Sequence, residues 1–197
     1  MPAQSASSQS KGDHFHAVRF YENDDSLCRI VAEFLREGLA DKQPAIVLAI
    51  PAHRDAIVQC LKDRGLDVVR VQSDGDLMLF DADETLSAFI EGDIVDRHSF
   101  EAVMHNAIER ACGNRTDCTV RVYGEMVDVL WQRGQNAAAI KLEMLWNQLA
   151  GTHDFSLLCG YSMGPFFKNA AAVDDICRHH THVVSPDGEA TRVAGAA

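Results

Sequence analysis

Residues 45–65 read AIVLAIPAHRDAIVQCLKDRG, and this stretch decides the fold class. The apolar run at 45–50 is typical of a β-strand covered on both faces, as in a parallel sheet. Pro51 suits the first position of a helix, and Gly65 suits the residue that follows its end. The stretch therefore predicts a buried strand and then a helix that ends near Arg64.

The segments on both sides repeat this alternation of strand and helix. Towards the N-terminus, residues 17–21 predict a strand, and residues 24–39 predict a helix capped by Asp24 or Asp25, with Gly38 at its exit. Towards the C-terminus, strands are predicted at LDVVRV (66–71), DLMLFDA (76–82), CTVRVYGEM (118–126) and FSLLCGY (155–161), and helices at 96–111, 127–131, 135–150 and 172–180. This order predicts an α/β three-layer sandwich with a mainly parallel central sheet.

Length and composition fit one domain between two tails. Of the 197 residues, 47 % are hydrophobic and 24 % are charged, which is ordinary for a globular protein. Residues 1–13 are rich in Ser and Gln and predict a disordered tail. Residues 14–186 predict a single domain, and residues 187–197 predict a C-terminal tail.

The charge argues against nucleic acid as a direct partner. Lys and Arg number 18 and Asp and Glu number 29, a formal net charge of −11, so the surface repels a phosphate backbone. The negative charge is densest between Asp74 and Glu101, where Arg97 is the one Lys or Arg residue. This acidic segment is the natural docking surface if the chain is an interaction module.

The sequence predicts a cytoplasmic protein that does not enter a membrane. The N-terminus lacks the apolar stretch of a signal peptide, and nowhere do about 18 apolar residues follow one another. Without a secretory signal, cysteines are expected to be reduced thiols, and none of them forms a C-x-x-C pair. The cysteines are Cys28, Cys60, Cys112, Cys118, Cys159 and Cys177.

Several segments together resemble one family of sensory domains. They include HAVRFYENDD (16–25), VRVYGEMVDVLW (120–131), IKLEMLWNQLA (140–150) and FSLLCGYSM (155–163). They look like the MEDS domain of DcmR-type regulators and of some bacterial sensor kinases, over about residues 14–186. The resemblance implies a KaiC/RecA-like fold without a functional P-loop, and a domain that senses small organic molecules such as simple hydrocarbon derivatives.

The resemblance also implies how the signal leaves the domain. DcmR-type regulators carry a DNA-binding helix-turn-helix and the kinases carry a kinase core, and neither is expected within this chain. The predicted partners are therefore a small organic ligand and a signalling protein, such as a histidine kinase or a transcription regulator. Assembly into a homo-oligomer is left open.

Nucleotide turnover is not expected, because the segment that follows the first strand lacks the features of a P-loop. A P-loop needs glycines and a lysine around the phosphates, whereas residues 21–26 read YENDDS. Three carboxylates there would repel a nucleotide. The segment is either a solvated helix cap or a ligand-facing loop, and the chain is predicted to be a non-enzymatic protein without a cofactor.

Side chains at the carboxyl ends of three strands are the predicted ligand site. Tyr21, Glu125 and Tyr161 end strands that neighbour one another in KaiC-like sheets, and open α/β sheets bind ligands at that edge. With Glu22 and with Trp131 at the rim, they are expected to converge on one cavity. The competing interpretation is that these side chains only close the sheet edge against solvent.

Helical spacing in residues 135–150 predicts buried polar side chains. With about 100° per residue, Glu143 and Asn147 face away from the wet side that Lys141 marks. A buried carboxylate needs hydrogen bonds or a cation. Arg121 is the first candidate partner of Glu143 and Arg19 the second, either as a structural ion pair or as the polar end of a ligand pocket.

Two further patterns are typical of other chemistry, a serine hydrolase and a metal site. Residues 160–164, GYSMG, match the G-x-S-x-G motif of serine hydrolases around Ser162, but too little chain follows for that fold. The cluster His179, His180 and His182 lacks the partners of a metal site and is predicted to be a helix end, so no metal is predicted. Three functions stay open: a ligand-binding sensory domain, a regulator of a signalling kinase without a small ligand, and a hydrolase.

Overall fold

A computed structural model describes residues 14–164 and 170–193, and in these ranges strands and helices alternate as predicted. The strands are β1 (His16–Tyr21), β2 (Ala45–Ala49), β3 (Leu77–Asp81), β4 (Ile90–Glu91), β5 (Ile94–Val95), β6 (Val120–Gly124), β7 (Phe155–Ser162), β8 (His182–Val184) and β9 (Ala190–Arg192). The helices are α1 (Asp24–Ala40), α2 (Pro51–Asp63), α3 (Val68–Ser73), α4 (Ala82–Ser87), α5 (Arg97–Cys112), α6 (Met126–Gln132), α7 (Asn136–Leu149) and α8 (Ala170–Cys177).

The central sheet is mainly parallel, which confirms the predicted fold class. Its seven strands lie in the order β3-β2-β6-β7-β1-β8-β9, and all neighbouring pairs are parallel except β8 with β9. Successive strand residues point to opposite faces, so each central strand feeds two separate cores. One core lies under α1 and α2, and the other lies under α4 to α8.

The segment predicted as a strand at 66–71 is the helix α3 instead. The Asp67 carboxylate accepts a hydrogen bond from the Arg70 backbone N–H and caps the helix. Val68 is buried while Val69 is exposed. Side-chain capping and the single buried position outweigh the β-propensity of the valines.

Helix α1 begins at Asp24 as predicted, but its cap and its end differ from the prediction. Asn23 is its cap, because the Asn23 side chain accepts a hydrogen bond from the Ser26 N–H at 2.9 Å. The helix continues past Gly38 to Ala40. A Cβ atom at Gly38 would lie 2.2 Å from Arg121 Cγ, so this glycine allows α1 to approach β6 closely.

Part of the predicted C-terminal tail belongs to the sheet. Residues 190–192 form β9, whose residues are exposed and which pairs with β8 in an antiparallel hairpin. Helix α4 and the β4–β5 hairpin were not predicted, since both are too short to show a period in the sequence. The predicted N-terminal tail, residues 1–13, lies outside the described residues.

The expectation of six reduced thiols is wrong for one pair. Cys112 at the end of α5 and Cys118 before β6 form a disulfide, because the turn between them brings their Cα atoms to 5.8 Å. Cys28, Cys60, Cys159 and Cys177 are free.

Within residues 14–164 and 170–193, none of the helices has the length and apolar character needed to cross a membrane.

Candidate functional site

The carboxyl edge of the sheet carries a buried carboxylate, Glu125, with three hydrogen-bond donors around it. Glu125 follows β6 directly and is 2 % exposed. Its side chain accepts hydrogen bonds from the Ile50 N–H, from the Tyr123 hydroxyl at 2.9 Å and from His53 Nδ1 at 2.7 Å. The neighbouring strands β2 and β6 therefore meet at this side chain.

Local sequence explains how His53 reaches Glu125. Ile50 ends the apolar run, and Pro51 begins α2, so His53 lies in the first turn of the helix above the strand ends. The hydrogen bond to Glu125 raises the pKa of His53 against the effect of burial, and Asp24, 3.6 Å from His53 Nε2, adds to the rise. Glu125 and Asp24 thus favour the protonated form of the His53 imidazole.

A second buried carboxylate, Asp128, lies in the first turn of α6. It accepts hydrogen bonds from the Tyr21 hydroxyl at 3.2 Å, from the Ser162 N–H at 3.0 Å and from Gln132 Nε2 at 3.3 Å. Burial raises the pKa of Asp128 above its ordinary value, although these donors oppose the shift. Asp128 therefore joins the ends of β1 and β7 to α6.

The structure brings some of the predicted site residues together and separates others. Tyr21 and Glu125 both lie beside His53: the Tyr21 ring is 5.9 Å from the His53 ring, and Glu125 binds His53 Nδ1. Tyr21, His53 and Glu125 are called the polar group of the carboxyl edge below. Tyr161 lies on the opposite face of the sheet, where its ring is 6.1 Å from that of Trp131. Glu22 is exposed.

The register of β1 and β7 causes this separation. Tyr21 is paired with Ser162, and Phe20 is paired with Tyr161. Paired residues of neighbouring strands share a face, so Tyr21 and Tyr161 end their strands at the same edge but on different faces. The expectation of a single cavity around all of these side chains is therefore wrong for Tyr161.

A cavity of about 450 Å³ opens near the same edge, between β3, α4 and α5. None of the five predicted ligand-binding residues lines it. Its wall mixes apolar and polar side chains, and the Arg54–Asp81 ion pair, 3.7 Å apart, lies at it. Lining side chains include Leu48, Leu79, Val103 and Met104.

His53 and Asp128 are the two polar residues of the edge that the sequence analysis missed. A signal for each was present. His53 occupies the first turn after a buried strand, and Asp128 lies three residues after Glu125, one helical turn away.

Glu143 is fully buried as predicted, but its partners are not the predicted arginines. Its carboxylate lies 3.1 Å from His16 Nε2 and 3.4 Å from His180 Nε2, and it accepts a hydrogen bond from the Tyr161 hydroxyl at 2.7 Å. Cys159 Sγ lies 3.6 Å from the same carboxylate. These side chains, His16, Glu143, Cys159 and His180, are called the interior cluster below.

The two arginines lie on the other face of the sheet. Arg121 is half-buried, donates to Gln43 at 2.7 Å and lies over the Phe34 ring of α1. Arg19 donates to the Val184 carbonyl at 3.3 Å. Both alternate with residues that face α7, so strand geometry turns them away from Glu143.

Asn147, expected to be buried, is exposed, yet its amide supports the interior cluster. Asn147 Oδ1 lies 2.9 Å from His16 Nδ1, and Asn147 Nδ2 donates to the His179 carbonyl at 2.9 Å. The amide thus ties α7 to the start of β1 and to the turn after α8.

The ionisation of the interior cluster follows from its burial. Desolvation lowers the pKa of His180 to about 4, so its imidazole is neutral at neutral pH. Burial raises the pKa of Glu143, whereas a proton on His180 or His16 and the hydrogen bond from Tyr161 lower it. The described residues contain two groups whose donor atoms can hold a metal, the interior cluster and the largely exposed group His105, Glu109 and His153.

The histidines of the cluster at 179–182 each have other contacts. His180 belongs to the interior cluster, His182 stacks on Phe15 with ring centroids 4.9 Å apart, and the His179 carbonyl binds Asn147. Ser162 ends β7, and its backbone N–H binds Asp128. The predicted helix end at these histidines is also wrong, since α8 stops at Cys177.

Comparison with known families gives one match that spans most of the chain. The model of the family described as MEDS, methanogen/methylotroph, DcmR sensory domain, matches residues 15–181. A search of curated proteins finds none with significant similarity. The matched range contains β1 through α8 and all four residues of the interior cluster.

Proposed function

The chain belongs to the MEDS family of sensory domains, and from that premise we propose that it binds a small organic ligand without turning it over and relays its presence to a partner protein. The observation that supports ligand binding most strongly is the polar group of the carboxyl edge, formed by Tyr21, His53 and Glu125. Open α/β sheets bind ligands at this edge. Buried carboxylates with a hydroxyl and an imidazole suit a neutral or weakly basic molecule.

A cavity between β3, α4 and α5, near the same edge but on the face of the sheet that carries α4 and α5, supports the proposal with volume for a small molecule. About 450 Å³ is within the range of small-molecule sites. A ligand there would place an apolar part against Val103 and Met104 and direct a polar part towards the edge. A ligand in the cavity would change the packing of α4 and of the β4–β5 hairpin that follows it. Both belong to the acidic segment between Asp74 and Glu101, so a partner bound to that segment would sense the ligand.

The proposal includes a KaiC/RecA-like ancestry without nucleotide chemistry. In support, β6, β7 and β1 are consecutive in the sheet, as the resemblance requires. The loop after β1 offers Glu22, Asp24 and Asp25 to a nucleotide in place of a lysine. ATP hydrolysis that disappears in Glu125→Gln would contradict this part of the proposal.

Thermal shift with defined probes tests ligand binding. Methanol, methylamine and dichloromethane are added to the wild type, to Tyr21→Phe/Glu125→Gln, to Val103→Trp and to the control Glu91→Gln, an exposed carboxylate. A ligand that binds the folded state raises the melting temperature. We expect a rise in the wild type and in the control, and a loss of the rise in the other two variants.

Two other results of the thermal-shift experiment would contradict part of the proposal. A rise that survives Tyr21→Phe/Glu125→Gln but not Val103→Trp would remove the polar group from the site. The absence of a shift with all probes, together with binding of a signalling kinase, would favour the interaction module. That alternative has one observation in its favour, namely Ile94, which is 74 % exposed at the β4–β5 hairpin within the acidic segment.

A further inference from the structure

The interior cluster lies away from the proposed ligand site and is built from four different elements. His16 begins β1, Glu143 is in the middle of α7, Cys159 is in β7, and His180 follows α8. All four side chains are buried, with exposed fractions of 0 % or 1 %. Their donor atoms lie within 4.8 Å of one another.

Four of the distances between these donor atoms are close to those of a tetrahedral metal site. His16 Nε2 lies 3.1 Å from Glu143 Oε2 and 3.5 Å from Cys159 Sγ, and Glu143 Oε2 lies 3.6 Å from the same sulfur. His180 Nε2 lies 3.4 Å from Glu143 Oε1. Tetrahedral zinc with bonds of about 2.0–2.3 Å separates its ligand atoms by roughly 3.3–3.6 Å.

Hydrogen bonds determine which nitrogen each imidazole presents to the cluster. Asn147 Nδ2 donates to a carbonyl, so Asn147 Oδ1 faces His16 Nδ1, which must carry the proton. His180 Nδ1 likewise faces the Ile176 carbonyl at 2.8 Å and must donate to it. With Nδ1 engaged in this way, each imidazole directs its Nε2 at the cluster, and its other nitrogen is held as in metal sites.

Four side chains that can ligate a metal thus lie together in the buried interior. The Cys159 thiol donates to Glu143 Oε2 at 3.6 Å, and once deprotonated its sulfur is a soft metal ligand beside two imidazole nitrogens and a carboxylate. Tyr161 supplies one hydrogen bond to Glu143, whereas His180 Nε2 makes no hydrogen bond among the described residues. A buried carboxylate needs hydrogen bonds or a cation; a metal ion would supply the cation here, since Arg19 and Arg121 lie on the other face of the sheet.

We propose that His16, Glu143, Cys159 and His180 bind one Zn²⁺-like transition-metal ion. Imidazole, carboxylate and thiolate ligands in tetrahedral geometry are the zinc combination. Four protein ligands leave no open position, so the ion is structural. It joins β1, β7, α7 and the turn after α8, and Asn147 and Tyr161 orient its ligands.

Metal content and cobalt spectroscopy test the site on the full chain, purified without a histidine tag. We expect about one equivalent of bound metal, a melting temperature that falls when a chelator removes it, and recovery with Zn²⁺. Co²⁺ added to the metal-free protein is expected to give the intense visible bands of tetrahedral coordination and a thiolate-to-cobalt charge-transfer band.

Variants assign the spectrum to residues. Cys159→Ser removes the charge-transfer band, and His180→Ala weakens Co²⁺ binding by at least about tenfold, as Asn147→Ala does through His16. Two controls keep the spectrum: Cys28→Ser, a buried thiol on the other face, and His105→Ala/His153→Ala, which removes the other group of candidate ligands. Circular dichroism confirms that each variant is folded.

Three results would overturn the proposal. The first is a folded wild type without bound metal that gives no tetrahedral Co²⁺ spectrum. The second is a Co²⁺ spectrum without a thiolate band. The third is a spectrum that is kept in Cys159→Ser and His180→Ala but lost in His105→Ala/His153→Ala, which would place the metal at the exposed group.

Discussion

At the scale of single residues, the buried side chains at the carboxyl edge of the sheet contact one another, so a substitution of one affects the positions of the others. Glu125 accepts from His53 and Tyr123, and the Tyr123 ring is fully buried against Gly160 of the next strand. A change in any of these residues is therefore transmitted to the carboxylate.

The His53–Glu125 pair gives a pH-dependent contribution to stability. Because the folded-state pKa of His53 is raised, its contribution is complete below the unfolded value near 6.5 and is lost as the pH rises through the folded value. Glu125, Asp24 and the Tyr21 ring are the groups that face His53. We expect His53→Gln to cost about 2 kcal/mol near pH 6 and less near pH 9.

Urea denaturation at the two pH values measures this difference. Asp55→Asn serves as the control, because Asp55 is an exposed carboxylate of the same helix and its substitution is expected to change stability by less than about 0.5 kcal/mol at both pH values. An equal cost of His53→Gln at both pH values would contradict the assignment of the proton to this pair.

Gly160 is required by the close approach of Tyr123. A Cβ atom at Gly160 would lie 2.7 Å from the Tyr123 hydroxyl oxygen, which is held by Glu125. We expect Gly160→Ala to destabilise the protein by about 2 kcal/mol, as overpacking does. Gly124→Ala is the control, since a Cβ atom at Gly124 would meet Leu157 at an ordinary 3.9 Å.

A double-mutant cycle identifies the cause of the Gly160→Ala effect. With Tyr123→Phe the hydroxyl is absent, so the double variant is expected to lose less stability than the sum of the two single variants. Strict additivity in chemical denaturation would mean that the strain lies elsewhere.

At the scale of elements, short caps decide between helix and strand where periodicity is weak. Asn23, Asp67, Asp81 and Asp96 each accept a backbone hydrogen bond at the start of a helix. In α3 the cap works against a run of β-branched residues and prevails.

The cap of α3 can be tested directly. We expect Asp67→Ala to lower the free energy of unfolding by about 1 kcal/mol, because the Arg70 N–H loses its partner. Asp55→Ala, an exposed carboxylate within α2, is expected to change it by less than about 0.5 kcal/mol. Equal effects of the two substitutions in thermal or urea denaturation would argue against the cap.

At the scale of the whole molecule, excess negative charge opposes the compact state. The formal net charge is −11, and like charges at the surface repel one another. Carboxylates of the acidic segment are partly compensated, for example Asp81 by Arg54 and Glu101 by Arg97. The compensation is local and leaves the overall repulsion in place.

Salt is therefore expected to stabilise the protein. Raising KCl from about 0.01 M to about 0.15 M shortens the screening length from about 30 Å to about 8 Å. We expect the urea midpoint to rise, with a gain in unfolding free energy below about 1 kcal/mol. A midpoint that falls would mean that screening of surface ion pairs outweighs relief of the net repulsion.

The sequence by itself determined the α/β fold class, the order of the main strands and helices, the family and the burial of Glu143. These features depend on local physics that a sequence records: apolar runs such as 45–50, helical spacing in 135–150, and Pro51 and Gly65 at element ends. Local signals also placed Tyr21 and Glu125 at the carboxyl edge, because each ends a recognisable strand.

Only the tertiary structure decided which residues meet across elements. The register of β1 and β7 sends Tyr161 to the opposite face from Tyr21, and the twofold alternation of strands turns Arg19 and Arg121 away from Glu143. His16 and His180 meet Glu143 although 164 positions separate the two histidines in the chain. Pairing register and sheet order depend on the packing of the whole chain, and no local pattern encodes them.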